Sequence, residues 1–530
     1  MSELPVGVVG SGAAAAGVVH ALVESGIRPV VLDVGQTLEP ERESLKRELA
    51  MRDPGDWAPE MLKRARGDYR CTPDGLEIKM QMGSDYSTRF PQGENGLEFE
   101  SMAHIPSFAF GGLSNIWGAS ILPYRSADIR GWPFGVEELL PHYRAVARLT
   151  GSTGEPGDAI DRLFPCVCEQ LQELPLSRSA AGLLADLKHH ETSLCQAGMN
   201  FGMARLALQA EDNADRKGCR KCGLCMHGCP YDLIFSSAHP FSKWIAAGKV
   251  DYRPGCLVRR FEEKEGAVEV EWSAPSGEIR HARFSRLFLS AGVIPTTRIV
   301  LSSLQMFDVP VEGKDSHYFL FPLLRIAGSG DVRSERLQTL SQIFVDLVDP
   351  VLEGKTGHAQ IYSYSDIIDS SVAAMLGPLR RFSPPVLSRM LIAQVFLHSD
   401  HSAKLVFRLR RTGGGGERLH VRGVANPASA RFRRHVLWKF SRHALHLRAI
   451  PGLPFVKVGA PGRGLHCGGT FPMSKNPRNH QTDLLGRLPG FQRTHIADSS
   501  VLPSIPGTTI AFSAMANAHR IASLALTSSQ

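Results

Sequence analysis

The chain has 530 residues, of which 43% are hydrophobic and 21% charged, the composition of a globular protein with more than one hydrophobic core. Its formal net charge is +8, but the basic residues are scattered and no helix-turn-helix, zinc-finger or RNA-binding signature occurs, so we expect no nucleic acid partner. The first residues carry no secretory or twin-arginine signal and no apolar run reaches the roughly 20 residues that cross a bilayer, so we expect a cytoplasmic protein.

The first predicted element is a nucleotide-binding strand, turn and helix. An apolar strand at residues 6–9 leads into Gly10, Gly12 and Ala15, in the pattern G-x-G-x-x-A that opens an alanine-rich helix. Gly10 permits the tight turn, Gly12 lets the backbone approach a pyrophosphate, and the small Ala15 allows close packing of helix against strand. Asp33 ends the next apolar strand, 21 residues after Gly12, where a carboxylate can accept hydrogen bonds from the ribose of FAD or NAD.

Two further parts of the first 300 residues have the strand-and-turn pattern of the same domain. Residues 254–258 begin with Pro-Gly and end at Val258, and residues 287–295 form an apolar strand followed by Ala291 and Gly292. Taken alone, either would pass for an ordinary strand. A glycine-rich segment precedes both and contains Gly111, Gly112, Ser114, Asn115, Trp117 and Gly118.

Four cysteines lie close together between these segments. Cys219, Cys222, Cys225 and Cys229 have the spacing C-x2-C-x2-C-x3-C followed by proline, the ferredoxin arrangement for an iron–sulfur cluster. Loops this short let successive thiolates turn towards one inorganic core. The sequence therefore predicts a 4Fe-4S or 3Fe-4S cluster.

Other interpretations of the cysteines stay open. Zinc sites usually pair two C-x2-C halves across a longer loop, and free thiols are ordinary in a reducing compartment, so both rank below iron–sulfur. In two-cluster ferredoxins the fourth cysteine of such a run ligates the other cluster, but this chain has a single run. Either Cys229 ligates the same cluster as the other three cysteines, or three cysteines hold the cluster and its last iron is open or is bound by a remote thiol. Candidates for the remote thiol are Cys195, Cys256 and Cys467.

The middle of the chain shows the alternation of antiparallel strands, for example at residues 403–409, and nothing in it names a substrate. Residues 373–396 mix bulky apolar residues with three arginines, as an interfacial segment does. Burial in the core is the favoured interpretation of this segment, and peripheral membrane contact is the second.

The last 70 residues carry the most specific pattern. His466 begins the run H-x-x-G-T-x-x-M, and a later apolar strand ends at Asp498 and precedes an apolar helix. Taken alone, His466 would be read as a structural residue, although an imidazole near its ordinary pKa can remove a hydroxyl proton close to neutral pH.

In their order, these segments resemble the glucose-methanol-choline (GMC) oxidoreductases, which are FAD-dependent enzymes that oxidise alcohols. The resemblance covers most of the chain, and Trp117 places it nearest to pyranose oxidase and to the fructose and gluconate dehydrogenases. It implies an α/β fold with a Rossmann-type FAD-binding domain and a second, mainly antiparallel β-sheet substrate domain. The FAD domain would comprise residues 1–300, with a cysteine-rich loop at 215–232, together with residues 461–530, and the substrate domain would comprise residues 301–460.

The resemblance also implies roles for individual residues. His466 takes the place of the catalytic histidine, which removes the hydroxyl proton while a hydride leaves to flavin N5. Ile116 stands where pyranose oxidase attaches FAD through a histidine, so noncovalent FAD is implied. The implied FAD contacts are Gly10, Gly12, Ala15, Asp33, Gly111, Gly112, Ser114, Asn115, Trp117, Gly118, Val258, Ala291, Gly292 and Asp498.

The chain departs from the family shortly after the proline that corresponds to Pro503 or Pro506. Family members usually have an Asn or His there that hydrogen-bonds the substrate oxygen, whereas this chain has Thr508 and Thr509. A threonine hydroxyl can donate or accept a hydrogen bond but cannot share the work of a base. Either threonine, or a residue from another loop such as Asn479 or His480, must then steady the oxygen.

The sequence therefore predicts oxidation of an alcohol CH–OH group, first of a sugar or related polyol, to a carbonyl. A cluster would pass electrons from the flavin one at a time to an acceptor protein or quinone, which favours a dehydrogenase over an oxidase. The alternatives are a flavin-dependent reductase, a redox-neutral isomerase, and a flavin-binding protein without catalysis.

Overall fold

The computed structural model describes residues 4–68, 79–94, 96–214 and 217–527. Within these ranges the strands are, in chain order, β1 (Val6–Val9), β2 (Val30–Leu32), β3 (Leu97–Glu100), β4 (Met199–Met203), β5 (Asp251–Arg253), β6 (Leu257–Lys264), β7 (Ala267–Ser273), β8 (Ile279–Phe284), β9 (Arg286–Leu289), β10 (Val311–Asp315), β11 (Tyr318–Arg325), β12 (Ile343–Leu347), β13 (Gly357–Tyr362), β14 (Met390–Phe396), β15 (Lys404–Arg411), β16 (Glu417–Val424), β17 (Ala449–Pro451), β18 (Lys457–Val458), β19 (Cys467–Gly468) and β20 (Thr494–Ile496).

The same ranges contain the α-helices α1 (Ala13–Glu24), α2 (Pro40–Ala50), α3 (Pro59–Arg66), α4 (Leu140–Thr150), α5 (Ala159–Leu163), α6 (Arg178–His189), α7 (Glu191–Gln196), α8 (Ala238–Ala246), α9 (Val293–Ser303), α10 (Asp366–Leu376), α11 (Ser383–Leu387), α12 (Ser429–Arg442), α13 (Ala444–Leu447) and α14 (Ile510–Thr527).

A five-stranded parallel sheet with the order β20-β9-β1-β2-β5 forms the first layer. β2 is buried at all three positions, and β1 and β9 are buried at all but their first, as expected of strands covered on both faces. The sheet takes strands from both ends of the chain, so its edge strand β20 comes from residues far from β1 in sequence. The cavity described below opens at the carboxyl ends of these strands.

Helices α1 and α14 pack closely against each other on this sheet. A Cβ atom built on Gly17 of α1 would lie 2.2 Å from the carbonyl oxygen of Met515 of α14. Such a distance is impossible for a real side chain, so the two backbones can approach this closely only because Gly17 has none. The alanine-rich sequence of α1 has the same cause.

The second layer is an antiparallel sheet with the order β17-β11-β14-β13-β12-β4, and β18 also pairs with β11. A further sheet has the order β19-β10-β15-β16-β3, and a meander of three strands joins β6, β7 and β8. The arrangement confirms the predicted α/β fold with a second, mainly antiparallel sheet domain. The domain boundaries stay a prediction, and β4 shows that the stretch before residue 300 also contributes a strand to the antiparallel sheet.

The segment at residues 373–396 divides into two parts. Its end is β14, a strand in the middle of the antiparallel sheet, whereas Met375, Leu379 and Phe382 are half-exposed on a helical projection. Among the described residues, no helix combines the length and the apolarity that spanning a bilayer demands. Peripheral membrane contact stays a prediction for the helical part alone.

Replacing Gly17 with alanine should destabilise the protein, because the new methyl group would displace the α14 backbone. We expect a loss of about 1–3 kcal/mol in the free energy of unfolding, in spite of the higher helix propensity of alanine. Chemical unfolding of both proteins measures the difference. The matched control is Gly131→Ala, at an exposed position with open space around the new Cβ, which should change stability by less than about 0.5 kcal/mol. Equal stability of the two variants would contradict the packing argument.

Candidate functional site

A cavity of about 390 Å³ extends from the glycine turn after β1 to the face of the antiparallel sheet. The parallel-sheet side of its wall comes from residues within 10–14, 112–118, 290–295, 498–499 and 509–514. The opposite wall comes from residues 463–467 and from Tyr318, Gln360, Tyr362, Gln394 and Phe396. Segments that are far apart in sequence therefore share one enclosed space.

The glycine turn leaves room for a phosphate group. Gly10 has φ of +98°, and a Cβ there would lie 2.6 Å from the backbone oxygen of Ser290. A Cβ on Gly12 would instead meet no atom within 4 Å, because this residue faces the cavity. Among the described residues, no side chain caps the start of α1, so its first N–H groups are available to an anion. These features fit the pyrophosphate of a dinucleotide.

Asp33 is connected to this turn through a serine. Ser11 Oγ donates to Asp33 Oδ2 at 2.5 Å, and the Tyr252 hydroxyl donates to the same oxygen at 2.9 Å. Burial raises the pKa of Asp33 to about 6. The carboxylate thus lies beside the glycine turn, at the end of β2, where the sequence predicts a ribose contact. Val258 lies in β6 outside the cavity lining.

The glycine-rich segment predicted to cover the flavin folds against the same turn. A Cβ on Gly112 would lie 3.1 Å from Gly12 Cα. Ser237 Oγ lies 2.7 Å from Ser114 Oγ, and Ser236 Oγ donates to Asn115 Oδ1 at 2.7 Å, so two serines fix the shape of the segment. The structure therefore brings together two predicted cofactor segments. Trp117 and Gly118 line the cavity, Gly111 donates from its N–H to Ser11, and Ala15 is buried behind the turn.

Asp498, which follows β20, connects the C-terminal segment with the turn after β9. Its Oδ2 accepts hydrogen bonds from Gly292 N at 2.9 Å and from Thr296 Oγ1 at 2.5 Å, and its Oδ1 accepts one from Ser500 N at 2.9 Å. Burial raises the pKa of this carboxyl group. Ala291 and Gly292 line the cavity together with Asp498.

His466 is buried at the antiparallel-sheet side of the cavity. Its ring stacks on Phe396, with 4.5 Å between ring centroids, and its Nδ1 atom is buried without a hydrogen-bond partner among the described residues. Burial lowers the pKa of His466 to about 3, and the charges of His358 and His104 act in the same direction. The imidazole is therefore neutral at physiological pH and able to accept a proton, but burial makes it a weaker base than the imidazole of ordinary pKa expected from the sequence.

A buried carboxyl group fixes the loop that carries this histidine. Asp315 of β10 pairs with Cys467 of β19, and its Oδ2 accepts a hydrogen bond from Gly462 N at 2.8 Å. The Cys467 thiol donates to Asp315 Oδ1 at 3.5 Å. Burial raises the pKa of Asp315 to about 7. Asp315 thus holds both sides of the loop around His466.

The two threonines occupy different places. Thr509 lines the cavity, and its Oγ1 accepts a hydrogen bond from Leu122 N at 3.2 Å. Thr508 is fully buried, its Oγ1 has no hydrogen-bond partner among the described residues, and it lies outside the cavity lining. Asn479 and His480 line a separate cavity with Lys314 and Asp400, so the structure does not bring them to His466.

Several polar residues on the antiparallel sheet escaped the sequence analysis. Gln360 and Tyr362 line the cavity, and the Tyr362 hydroxyl donates to Gln360 Oε1 at 2.9 Å. His358 is fully buried, and its Nδ1 lies 2.8 Å from Asp346 Oδ1. His358, Gln360 and Tyr362 occupy alternate positions of β13, so three polar residues at a spacing of two along an apolar strand would have signalled them.

The four clustered cysteines lie together, and backbone N–H groups point at their sulfur atoms. Thr339 N donates to Cys225 Sγ at 3.4 Å and Leu233 N donates to Cys229 Sγ at 3.4 Å. Lys221 and Leu224 provide the corresponding backbone hydrogen bonds to Cys219 and Cys222. Burial raises the pKa of the Cys219 thiol to about 12 and that of the Cys229 thiol to about 11.

The spacing of the sulfur atoms bears on the metal. Among the described residues, no three of these sulfurs lie within 4.8 Å of one another. A single zinc ion with Zn–S bonds of about 2.3 Å would need such a compact group. A cluster keeps its sulfur ligands further apart, because several iron atoms lie between them. Among the described residues these sulfurs therefore form no compact group of three, and the iron–sulfur cluster stays a prediction.

The suggested remote ligands are elsewhere. Cys195 interacts with Glu191 and Arg162, Cys256 with Arg253 and Asp33, and Cys467 with Asp315. Cys229, by contrast, interacts directly with Cys225. The local cysteines are thus the ones that the fold gathers.

The cysteine loop borders the cavity. Lys79 and Met226 both line the cavity, and Lys79 Nζ donates to the backbone oxygen of Trp117 at 2.9 Å. The same ammonium group interacts electrostatically with Cys225 and Cys229. Lys79 is a further residue that the sequence analysis missed, because no motif surrounds it.

Neither a protein-family model nor a curated protein sequence matches this chain. Among solved structures, the crystal structure of pyridoxine 4-oxidase from Mesorbium loti is similar, with a TM-score of 0.57 over 98% of each chain. The sequence identity is 15%, so this likeness establishes the shared fold alone.

Replacing Asp315 with asparagine should change how stability depends on pH. In the folded protein Asp315 keeps its proton up to about pH 7, whereas in the unfolded chain it loses the proton near its ordinary pKa of 3.8, so stability falls as pH rises between these values. The wild type should lose up to about 4 kcal/mol relative to Asp315→Asn across this range. Urea unfolding at a series of pH values measures it. The exposed Asp308→Asn is the control, and a stability difference that does not vary with pH in Asp315→Asn would refute the assignment.

Proposed function

We propose that this protein is an FAD-dependent oxidoreductase that oxidises the CH–OH group of a small polar alcohol to a carbonyl. The observation that carries the proposal is the position of His466. A buried, neutral imidazole shares one cavity with the glycine turn of a dinucleotide-binding sheet. A base and a nucleotide site that face each other are what alcohol oxidation by hydride transfer requires.

The described residues fit FAD. The turn at Gly10 and Gly12 and the start of α1 would hold the pyrophosphate, Asp33 would bind the adenosine ribose, and the wall around Trp117 and Thr509 would enclose the ring system. When bound, FAD supplies the hydride acceptor at N5. Ile116 lines the cavity and has no nucleophilic atom, so the cofactor would be held without a covalent bond.

The protein's own groups handle the hydroxyl group of the substrate. His466 would take the hydroxyl proton, because burial keeps its imidazole neutral and it lines the cavity. Thr509 is better placed than Thr508 to steady the oxygen. Since Thr509 Oγ1 already accepts a hydrogen bond from Leu122 N, its O–H remains available to donate to the substrate.

The cavity walls favour a polar substrate. Gln360, Gln394, Tyr362 and Arg463 present amide, hydroxyl and guanidinium groups beside His466. These groups suit the several hydroxyls of a sugar or related polyol, which is our first candidate. The name of the structural neighbour, pyridoxine 4-oxidase, makes a small heterocyclic alcohol the second. Steady turnover without an electron acceptor would instead indicate a redox-neutral isomerase.

Replacing His466 with alanine should abolish oxidation and leave the flavin in place. The loss of the base should slow substrate-dependent flavin bleaching by about 10²–10⁴-fold. The measurement is anaerobic stopped-flow absorbance with a panel of sugars, polyols and pyridoxine, after flavin content has been determined. The control is His420→Asn, on β16 and outside the cavity. Equal bleaching in His466→Ala and wild type would overturn the catalytic assignment.

We also propose that Cys219, Cys222, Cys225 and Cys229 bind a 4Fe-4S or 3Fe-4S cluster. Two observations support it: the ferredoxin spacing and the backbone N–H groups directed at the sulfurs. Because Lys79 and Met226 connect the loop with the cavity wall, the cluster would lie close to the flavin. Electrons would then leave singly to a protein or quinone acceptor, and the enzyme would act as a dehydrogenase.

Replacing Cys222 with serine should remove iron and acid-labile sulfide without removing flavin. The control is Cys166→Ser, because Cys166 is an exposed cysteine outside the run. Both variants and the wild type should be purified anaerobically and analysed for iron, sulfide, zinc and flavin. Wild-type protein that contains flavin but no iron, or iron that persists unchanged in Cys222→Ser, would sink the cluster assignment.

A further inference from the structure

A second group of metal-ligating side chains lies on the helical side of the parallel sheet. The ligand atoms of His20, Glu24 and His519 all lie within 4.8 Å of one another, the spacing that one ion requires. His20 Nε2 is 3.4 Å from Glu24 Oε1, and His519 Nε2 is 3.3 Å from Glu24 Oε2. None of the three lines the cavity that contains His466.

The close packing of two helices creates this arrangement. His20 and Glu24 are four residues apart on α1, so they point in the same direction. Because Gly17 lets α14 approach α1 at Met515, His519, one turn beyond Met515, comes to the same place. The group therefore depends on the tightest helix contact of the FAD-binding sheet.

Both imidazoles have their other nitrogen occupied. His519 Nδ1 lies 2.9 Å from His142 Nδ1, and the backbone of Ala145 forms a hydrogen bond with the His20 ring. His20 Nε2 is buried and has no hydrogen-bond partner among the described residues, so Ala145 must bind Nδ1. His519 Nε2 donates a hydrogen bond to Glu24 Oε2, so an ion that binds here would replace the proton on Nε2, and the ring would then carry its proton on Nδ1, beside His142. Outer partners that fix the tautomer in this way are typical of metal-binding histidines.

We propose that His20, Glu24 and His519 bind one zinc ion. Two imidazole nitrogens and a carboxylate are a common zinc ligand set, with water in the fourth position. Glu24 is 45% exposed, so that position is open to solvent. The ion would tie α1 to α14 and stabilise the fold, and the inference does not rest on the proposed oxidation.

The surrounding charges set the conditions for binding. Arg148 lies 3.9 Å from Glu24 Oε1 and opposes a cation, but its side chain is 55% exposed and can turn away.

The test compares zinc content in chains that differ at this site alone. All proteins carry Cys222→Ser to weaken zinc binding at the cysteine loop, and the protein with this substitution alone is the reference protein. Each protein is stripped with EDTA, equilibrated with low micromolar zinc chloride and passed through a desalting column. The reference protein should retain one zinc per chain more than Glu24→Gln and His20→Asn. The matched control is His446→Asn, because His446 Nδ1 lies 3.1 Å from His443 Nδ1 in a histidine pair on the far helices.

Thermal unfolding provides an independent readout. Zinc should raise the unfolding midpoint of the reference protein and of His446→Asn, and should leave that of Glu24→Gln unchanged. Glu24 is half-exposed, so Glu24→Gln should fold normally even if His20→Asn does not. Zinc that is absent from the reference protein, equal in Glu24→Gln, or lost also in His446→Asn would overturn the proposal.

Discussion

Asp498 accepts hydrogen bonds from Gly292 N, Thr296 Oγ1 and Ser500 N, and these bonds hold together two segments that lie some 200 residues apart. Burying a carboxyl group raises the free energy of the folded state unless its oxygens accept hydrogen bonds, so Asp498 requires all three donors. The turn after β9 and the turn after β20 consequently form one continuous wall. The glycine turn after β1, residues 112–118 and the first turn of α14 line the same cavity as this wall.

Burial determines the chemistry on the other side of the cavity. The environment that lowers the pKa of His466 also raises that of Asp315, since both shifts arise from loss of hydration. His466 is thereby kept neutral across the physiological range, although it is a weaker base, and Asp315 keeps its proton up to about pH 7. His466 is the neighbour of Cys467, whose thiol donates to Asp315. Burial thus shifts the pKa values of two groups on the same loop contact in opposite directions.

The motifs at the two ends of the chain could be predicted because each depends on local backbone geometry. Gly10, Gly12 and Asp33 lie where the strand–turn–helix pattern puts them, and His466 reaches the same cavity. Lys79, Gln360 and the His358–Asp346 pair could not be predicted, since their place depends on how distant strands pair. Asn479 and His480 were candidates for the residue that steadies the substrate oxygen, but they line a different cavity.

The parallel sheet also has a kinetic consequence. Its central strand β1 is synthesised well before its edge strand β20 and the covering helix α14, which follow almost the whole antiparallel domain in sequence. Contacts of such long sequence separation close slowly, because the intervening chain must first be ordered. During synthesis the small-residue face of α1 therefore stays exposed until α14 has been made, and we expect the parallel sheet to become rigid only after that. A chaperone that shields this face would act on α1 until α14 covers it.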